Sequence, residues 1–134
     1  MNQRIIQLAL VVADYDEAID FYTNKLGFNL IEDTKLSEHK RWVRIAPQGS
    51  GDCCILLAKA ADDEQRSRIG NQTGGRVFLF MHTNDLERDY QNLMANKIKI
   101  IREPVAETWG NVLVFEDLYG NLWDLIEPKP TEII

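Results

Sequence analysis

Phe115-Glu116-Asp117-Leu118-Tyr119-Gly120-Asn121-Leu122-Trp123-Asp124-Leu125-Ile126-Glu127-Pro128 reads as two strands joined by a tight turn. An apolar run ends in Glu116-Asp117, Gly120-Asn121 supplies the turn, and an apolar run resumes. Successive strand residues alternate between faces, so Asp124 shares a face with Leu122 and Ile126, against Trp123 and Leu125. A carboxylate on a buried face is costly without a partner. Asp124 therefore faces water, or it faces a cavity where its charge is used.

Working outward, the residues before this stretch read as strand, helix, then two further strands. Arg76 to His82 is a strand, and Asn84 with Glu87 has the spacing of a capping box. The helix that follows holds Leu86, Tyr90, Leu93 and Met94. Ile98 to Ile101 is a strand, Glu103-Pro104 a loop, and Asn111 to Phe115 the next strand. The first half has the same order. Arg4 to Ala13 is a strand, Asp14 and Glu17 form a capping-box spacing, and Tyr15, Ile19, Tyr22 and Leu26 make one apolar helical stripe. Gly27 ends the helix, Phe28 to Ile31 is a strand, and Glu32 to Lys40 is a loop or hairpin connection. Arg41 to Ala46 is a strand, Pro47-Gln48-Gly49-Ser50-Gly51 a turn, and Cys53 to Leu57 a strand. Asn24 to Phe28 corresponds to Asn96 to Ile100, each directly after its helix. The pattern predicts an internal repeat of two βαβββ modules in one α+β domain spanning 1–134. The modules cover about 1–60 and 76–130, joined by a linker of about 61–75 with a short polar helix and a glycine-containing hinge.

The chain of 134 residues, 45% hydrophobic and 27% charged, has the size and composition of an ordinary soluble domain. Its apolar runs are too short to span a bilayer, and the polar start is no signal peptide. Adjacent Cys53 and Cys54 argue against a disulfide framework and suit the cytoplasm. A net charge of -6 argues against nucleic-acid binding, since no basic stripe is present, and it favours cationic ligands if it has a role beyond solubility.

Gln7 to Asp14, Ala18 to Tyr22 and Leu26-Gly27-Phe28 resemble the opening of the vicinal oxygen chelate superfamily, and Glu116 to Leu125 resembles its ending. That superfamily includes glyoxalase I, bleomycin-resistance proteins, fosfomycin-resistance transferases and extradiol dioxygenases. The resemblance covers essentially the whole chain and implies two βαβββ modules whose mixed sheets curl into a half-barrel cup, often assembled as homodimers. It also implies metal-ligand positions on the first and last strand of each module, which here hold Gln7, Leu56, Phe78 and Asp124. Gln7 and Asp124 are acceptable ligands, whereas Leu56 and Phe78 have no donor atom. Two oxygen ligands, one of them charged, make a poor divalent-metal site.

With those positions lost, the expected cup face is apolar with a few polar points: Ala9, Val11, Leu56, Phe78 and Phe80, then Gln7 and Asp124, with His82 near the rim. That is the composition of a small-molecule pocket, or of a core filled by its own side chains. Trp42 and Arg44 share one face of their strand, and parity alone leaves open whether it lines the cup. Trp109, beside Gly110, is a lid aromatic or a plug at a dimer contact. Cys53 and Cys54 point to opposite faces of a regular strand and read as buried structural thiols, with no cation visibly placed to activate either. Asp117 is expected to bond turn amides.

The expectation is a small-molecule-binding protein resembling the bleomycin-resistance type, with a cationic or aromatic ligand and no committed cofactor. The alternative is a glyoxalase-like, metal-dependent lyase or isomerase acting on a carbonyl or thioester compound, and the sequence leaves open whether the chain is an enzyme. A third reading is metal-free acid–base chemistry by Asp124 with His82.

Overall fold

The computed structural model describes residues 1–49, 51 and 53–130; Ser50 of the expected Pro47–Gly51 turn lies outside the described residues. The chain divides into two compact units, Met1–Ile69 and Gly70–Ile134, a boundary inside the expected linker. Each unit holds one open, mixed sheet of four strands.

The first unit runs β1 (Gln7–Val12), α1 (Tyr15–Asp20), a π-helical turn (Phe21–Lys25), β2 (Asn29–Lys35), β3 (Arg41–Ala46), β4 (Cys54–Lys59) and α2 (Asp63–Arg66). The second runs β5 (Val77–His82), α3 (Leu86–Ala95), β6 (Ile100–Glu107), β7 (Gly110–Glu116) and β8 (Leu122–Pro128). The sheets are ordered β1-β4-β3-β2 and β5-β8-β7-β6, so the same strand order occurs in both. In each, the first and last strands pair in parallel and the other neighbours antiparallel.

In the first sheet, Leu10, Val12, Val43, Ile45, Ile55 and Leu57 are buried, and Tyr15 and Ala18 of α1 are buried with them. The other face carries Ala9, Leu56 and Arg44 in one row, because Ala9 pairs with Leu56 and Leu56 with Arg44. In the second sheet, Trp123 and Leu125 are buried together with Leu86 and Leu93 of α3, and the Phe115 and Trp123 rings stack at 5.9 Å. Each such side chain contributes roughly 1.5–3 kcal/mol by leaving water. The face opposite the helix we call the open face.

Helix ends follow local chemistry. Asp14 caps α1 by accepting from the Glu17 N–H at 2.8 Å, as its spacing predicts. The cap of α3 is Asp85, not Asn84: the Asp85 carboxylate accepts from the Arg88 N–H at 3.0 Å. The predicted correspondence of Asn24–Phe28 with Asn96–Ile100 is also out of step. Lys97 (φ 58) and Gly27 (φ 83) are the left-handed residues that stop the two helices. The N–H of the next residue reaches back in both, Ile98 to Leu93 at 2.9 Å and Phe28 to Tyr22 at 2.8 Å. Phe28 is therefore matched by Ile98, and both are buried. The extra residue in the first helix is taken up by the π-helical turn, where the Leu26 N–H bonds to Phe21 O.

Strand limits differ from the sequence reading where pairing, not composition, decides. β1 begins at Gln7 instead of Arg4, β2 continues through the expected loop to Lys35, and β6 runs through Pro104. β6 tolerates the proline because it is an edge strand whose register shifts between Arg102 and Val105. A further one-residue bulge lies at Ile101, and β2 has its counterpart at Ile31: Leu30 pairs with Ile45 and Glu32 with Arg44.

The opening turn is held by Asp117, as expected. Its Oδ1 accepts from the N–H groups of Tyr119 and Asn121 at 2.9 Å each, and its Oδ2 from the Asn121 side-chain amide at 2.9 Å. Gly70 packs on this turn with φ 74, where a Cβ would stand 1.8 Å from the Tyr119 carbonyl oxygen. Only glycine fits there. No helix among the described residues is long and apolar enough to cross a membrane.

Candidate functional site

Asp124 lies on the open face of the second sheet, in a row set by register: Phe80 on β5, Asp124 on β8, Val114 on β7 and Arg102 on β6. The alternation read from the sequence holds, since Trp123 and Leu125 are buried and Asp124 is half-buried between them on the other side. Phe80, beside it, is 67% exposed, an unusual state for phenylalanine on a sheet. Burial raises the Asp124 pKa above the ordinary carboxylate value, and the charge of Arg102 opposes that shift. Arg102 is itself engaged by Glu107 at 3.7 Å. Among the described residues no side chain or backbone donor hydrogen-bonds to Asp124. The result is a carboxylate with an aromatic wall on one side and no donor to satisfy it.

The neighbouring row on this face pairs His82 with Ile126 and Ile126 with Val112. His82 is exposed at the end of β5, two residues along from Phe80; the expected place of Phe78 on the same row is altered by a register shift, since Val77 pairs with Leu122 and Phe78 is half-buried at the irregularity. Trp109 is not brought to Asp124. It occupies the tight turn between β6 and β7, exposed, next to Gly110, which pairs with Pro128. That pair lies four positions along the strand from Asp124, about 13 Å away.

The open face of the first sheet gathers the remaining candidates. Val43 and Ile45 face α1, so Trp42 and Arg44 lie on the opposite, open side with Leu56 and Ala9. This resolves the ambiguity of the β3 face. Gln7 pairs with Cys54, and the Cys54 Sγ sits 3.3 Å from Gln7 Oε1 and 3.5 Å from Arg44 Nη1. Arg44 continues to Glu32, with Nε and Nη2 at 3.1 and 3.0 Å from Oε1. The expectation of two buried thiols without a nearby cation is thus corrected twice: Cys53 is exposed, and Arg44 contacts Cys54. Sequence reasoning missed Glu32 and Arg102. Both sit one residue past a bulge, where simple alternation gives the wrong face.

The family's metal positions do not fit a divalent ion. Leu56 and Phe78 offer no donor, and the Gln7 amide oxygen lies against the Cys54 thiol. Among the described residues no three His, Cys, Asp or Glu side chains gather in one place.

Comparison with known proteins fits this geometry. An uncharacterized protein of Shewanella frigidimarina is 57% identical over 128 residues, covering 95% of each chain. Among solved structures, UcmS2 superposes with a TM-score of 0.83 at 27% identity, covering 95% of this chain and 99% of its own. TnmS3, an antibiotic binding protein from Streptomyces sp. CB03234, gives 0.77 at 26% identity, covering 96% and 98%. The model of the Glyoxalase/Bleomycin resistance protein/Dioxygenase superfamily matches residues 4–125. With two open βαβββ sheets and a match over nearly its whole length, the chain belongs to that superfamily.

Proposed function

We propose that this protein binds a small molecule, in the manner of the antibiotic-binding and bleomycin-resistance members of its superfamily, and that Asp124 receives a donor group of that ligand. One observation carries the reading: Asp124 is half-buried beside the exposed ring of Phe80 and has no hydrogen-bond donor among the described residues. A ligand with an N–H, O–H or ammonium group next to an aromatic ring would supply what the carboxylate lacks and cover Phe80. The similarity to TnmS3 supports the same class of ligand, and the net charge of -6 supports a cationic group. On the second sheet we place Phe78 and His82 with Phe80 and Asp124, and on the first sheet, taken by itself, Gln7, Ala9, Trp42, Arg44 and Leu56 form a proposed contact surface of their own; Trp109, at the far turn, belongs to neither.

The matching strand order of the two sheets supports an internal repeat within a single domain. Exposure of Phe80, Trp109 and Leu36 in a single chain supports a homodimer, checked by sedimentation equilibrium. The two free cysteines support a cytoplasmic location.

The test is a thermal-shift screen of aromatic amines and phenols against the protein and Asp124→Ala. Specific binders raise the Tm by mass action, by several degrees at a hundredfold excess over Kd. The reading requires that the shift fall at least tenfold in ligand sensitivity in Asp124→Ala. Shifts that survive this substitution would remove Asp124 from the site.

A further inference from the structure

On the open face of the first sheet, Arg44 is neither a loose surface cation nor a fully spent one. Its guanidinium is held from two sides, by Glu32 through Nε (3.1 Å) and Nη2 (3.0 Å), and by Cys54 Sγ through Nη1 (3.5 Å). The Cys54 thiol is in turn placed by Gln7 Oε1 at 3.3 Å. A guanidinium has five N–H donors in a fixed plane. Three are engaged by these contacts, which leaves two without a partner among the described residues. Arg44 is only half-buried, with 31% of its side chain exposed, so those donors can be reached. The surrounding face is apolar and aromatic, built from Trp42, Leu56 and Ala9.

We propose that Arg44 hydrogen-bonds a neutral acceptor, a carbonyl oxygen on an aromatic compound, and that Glu32 makes the position reject carboxylates. Glu32 cancels the formal charge of Arg44 while leaving part of its donor fork open. A carbonyl oxygen gains two oriented donors and brings no charge. A carboxylate gains the same donors but meets the Glu32 carboxylate next to them, within a molecule that is already net negative. Selection against the wrong partner by a placed like charge is a general route to specificity. The corresponding row of the second sheet has no such pair, since Val114 stands at the β7 position and Arg102 on β6. The carbonyl preference therefore belongs to the first sheet alone. It rests on the reading that the open faces bind small molecules, and it names, for the face of the first sheet, a ligand that carries a ring carbonyl.

The experiment uses 4-hydroxyacetophenone and 4-hydroxybenzoate, which differ mainly in replacing a ketone by a carboxylate. Each is titrated into the protein and into Arg44→Gln, Glu32→Gln and Asp124→Asn, with affinities read from amide chemical shifts at pH 7. The native protein binds the ketone at least fivefold more tightly than the benzoate. Arg44→Gln weakens ketone binding at least fivefold, and Glu32→Gln reverses the preference in favour of the benzoate. Glu32 lies on an edge strand away from the core, so that variant carries the test even if the Arg44 variant does not fold. Equal affinity for both probes in the native protein, no ketone binding up to 10 mM probe (~10 mM being a weak-binding ceiling), or an unchanged preference in Glu32→Gln overturns the proposal. If ketone binding weakens in Asp124→Asn but not in Arg44→Gln, this inference fails while the binding role of Asp124 stands. If neither variant alters it, both fail.

Discussion

At the scale of single residues, the structure separates groups that hold the fold from groups that weaken it. Arg41 is of the first kind: it reaches Asp16 at 2.9 Å and Asp33 at 2.7 Å and lies over the Tyr15 ring at 5.1 Å, tying β3 to β2 and α1. Hydrogen bonding from Arg41 holds the Asp33 pKa below the ordinary carboxylate value. Asp124 is of the second kind, with a pKa raised by burial. The folded state then holds the Asp124 proton at pH values where the unfolded chain, near 3.8, has released it. Its contribution therefore turns unfavourable as pH rises above 3.8 and stays so at neutral pH. Asp124→Asn should unfold at a higher temperature than the native protein at pH 7, and the two melting curves should converge as pH falls below 3.8. Scanning calorimetry across that range checks it. A residue that lowers stability at working pH and yet occupies the middle of a strand fits a role in binding.

At the scale of elements, caps and turns give predictions that distinguish neighbouring residues. Asp85→Ala should destabilise by about 1 kcal/mol, because it orphans an N–H at the start of α3. Asn84→Ala should change stability by less than about 0.5 kcal/mol, since Asn84 only meets the exposed Arg88 side chain. Urea denaturation of both variants tests the corrected cap. Lys97 holds φ 58 without being glycine. Lys97→Gly should stabilise by about 0.5–1 kcal/mol, a rise in Tm of roughly 2–5 °C.

The elements also show what a sequence can and cannot disclose. Arg41–Ala46 was legible to the residue, as its apolar alternation is bounded by polar loop and proline. The face of Asp124 was legible for the same reason, because β8 is regular from Leu122 to Pro128. Glu32 beside Arg44 was not. That contact depends on a register between strands twelve residues apart in sequence and on a bulge that parity cannot anticipate. The cap at Asp85 was missed because Asn84 and Asp85 are both capping residues, and only the backbone tells which one is extended.

At the scale of the whole molecule, each unit has its own buried cluster and its own closed set of strand pairings. The start of the second unit is polar and turn-rich: Asn71, Thr73, Gly74 and Gly75 are exposed, and a Cβ at Gly74 or Gly75 would meet nothing within 4 Å. Brief digestion with subtilisin should therefore cut first within 71–75, ahead of any cut inside α3, as mass spectrometry of the first fragments would show.

The paired bulges at Ile31 and Ile101 bear on what the two outer strands offer to another chain. β2 and β6 are the outer strands of their sheets, and each leaves one isoleucine out of register, 48% and 44% exposed. A regular apolar edge invites any passing strand to extend the sheet, which is how aggregates begin. An extra residue breaks the spacing of N–H and C=O groups that such a strand would have to match. The same kind of irregularity that turns Glu32 and Arg102 to the open faces thus also guards both edges, so the placement of these two charges and the protection of the outer strands come from one type of local departure from strand geometry.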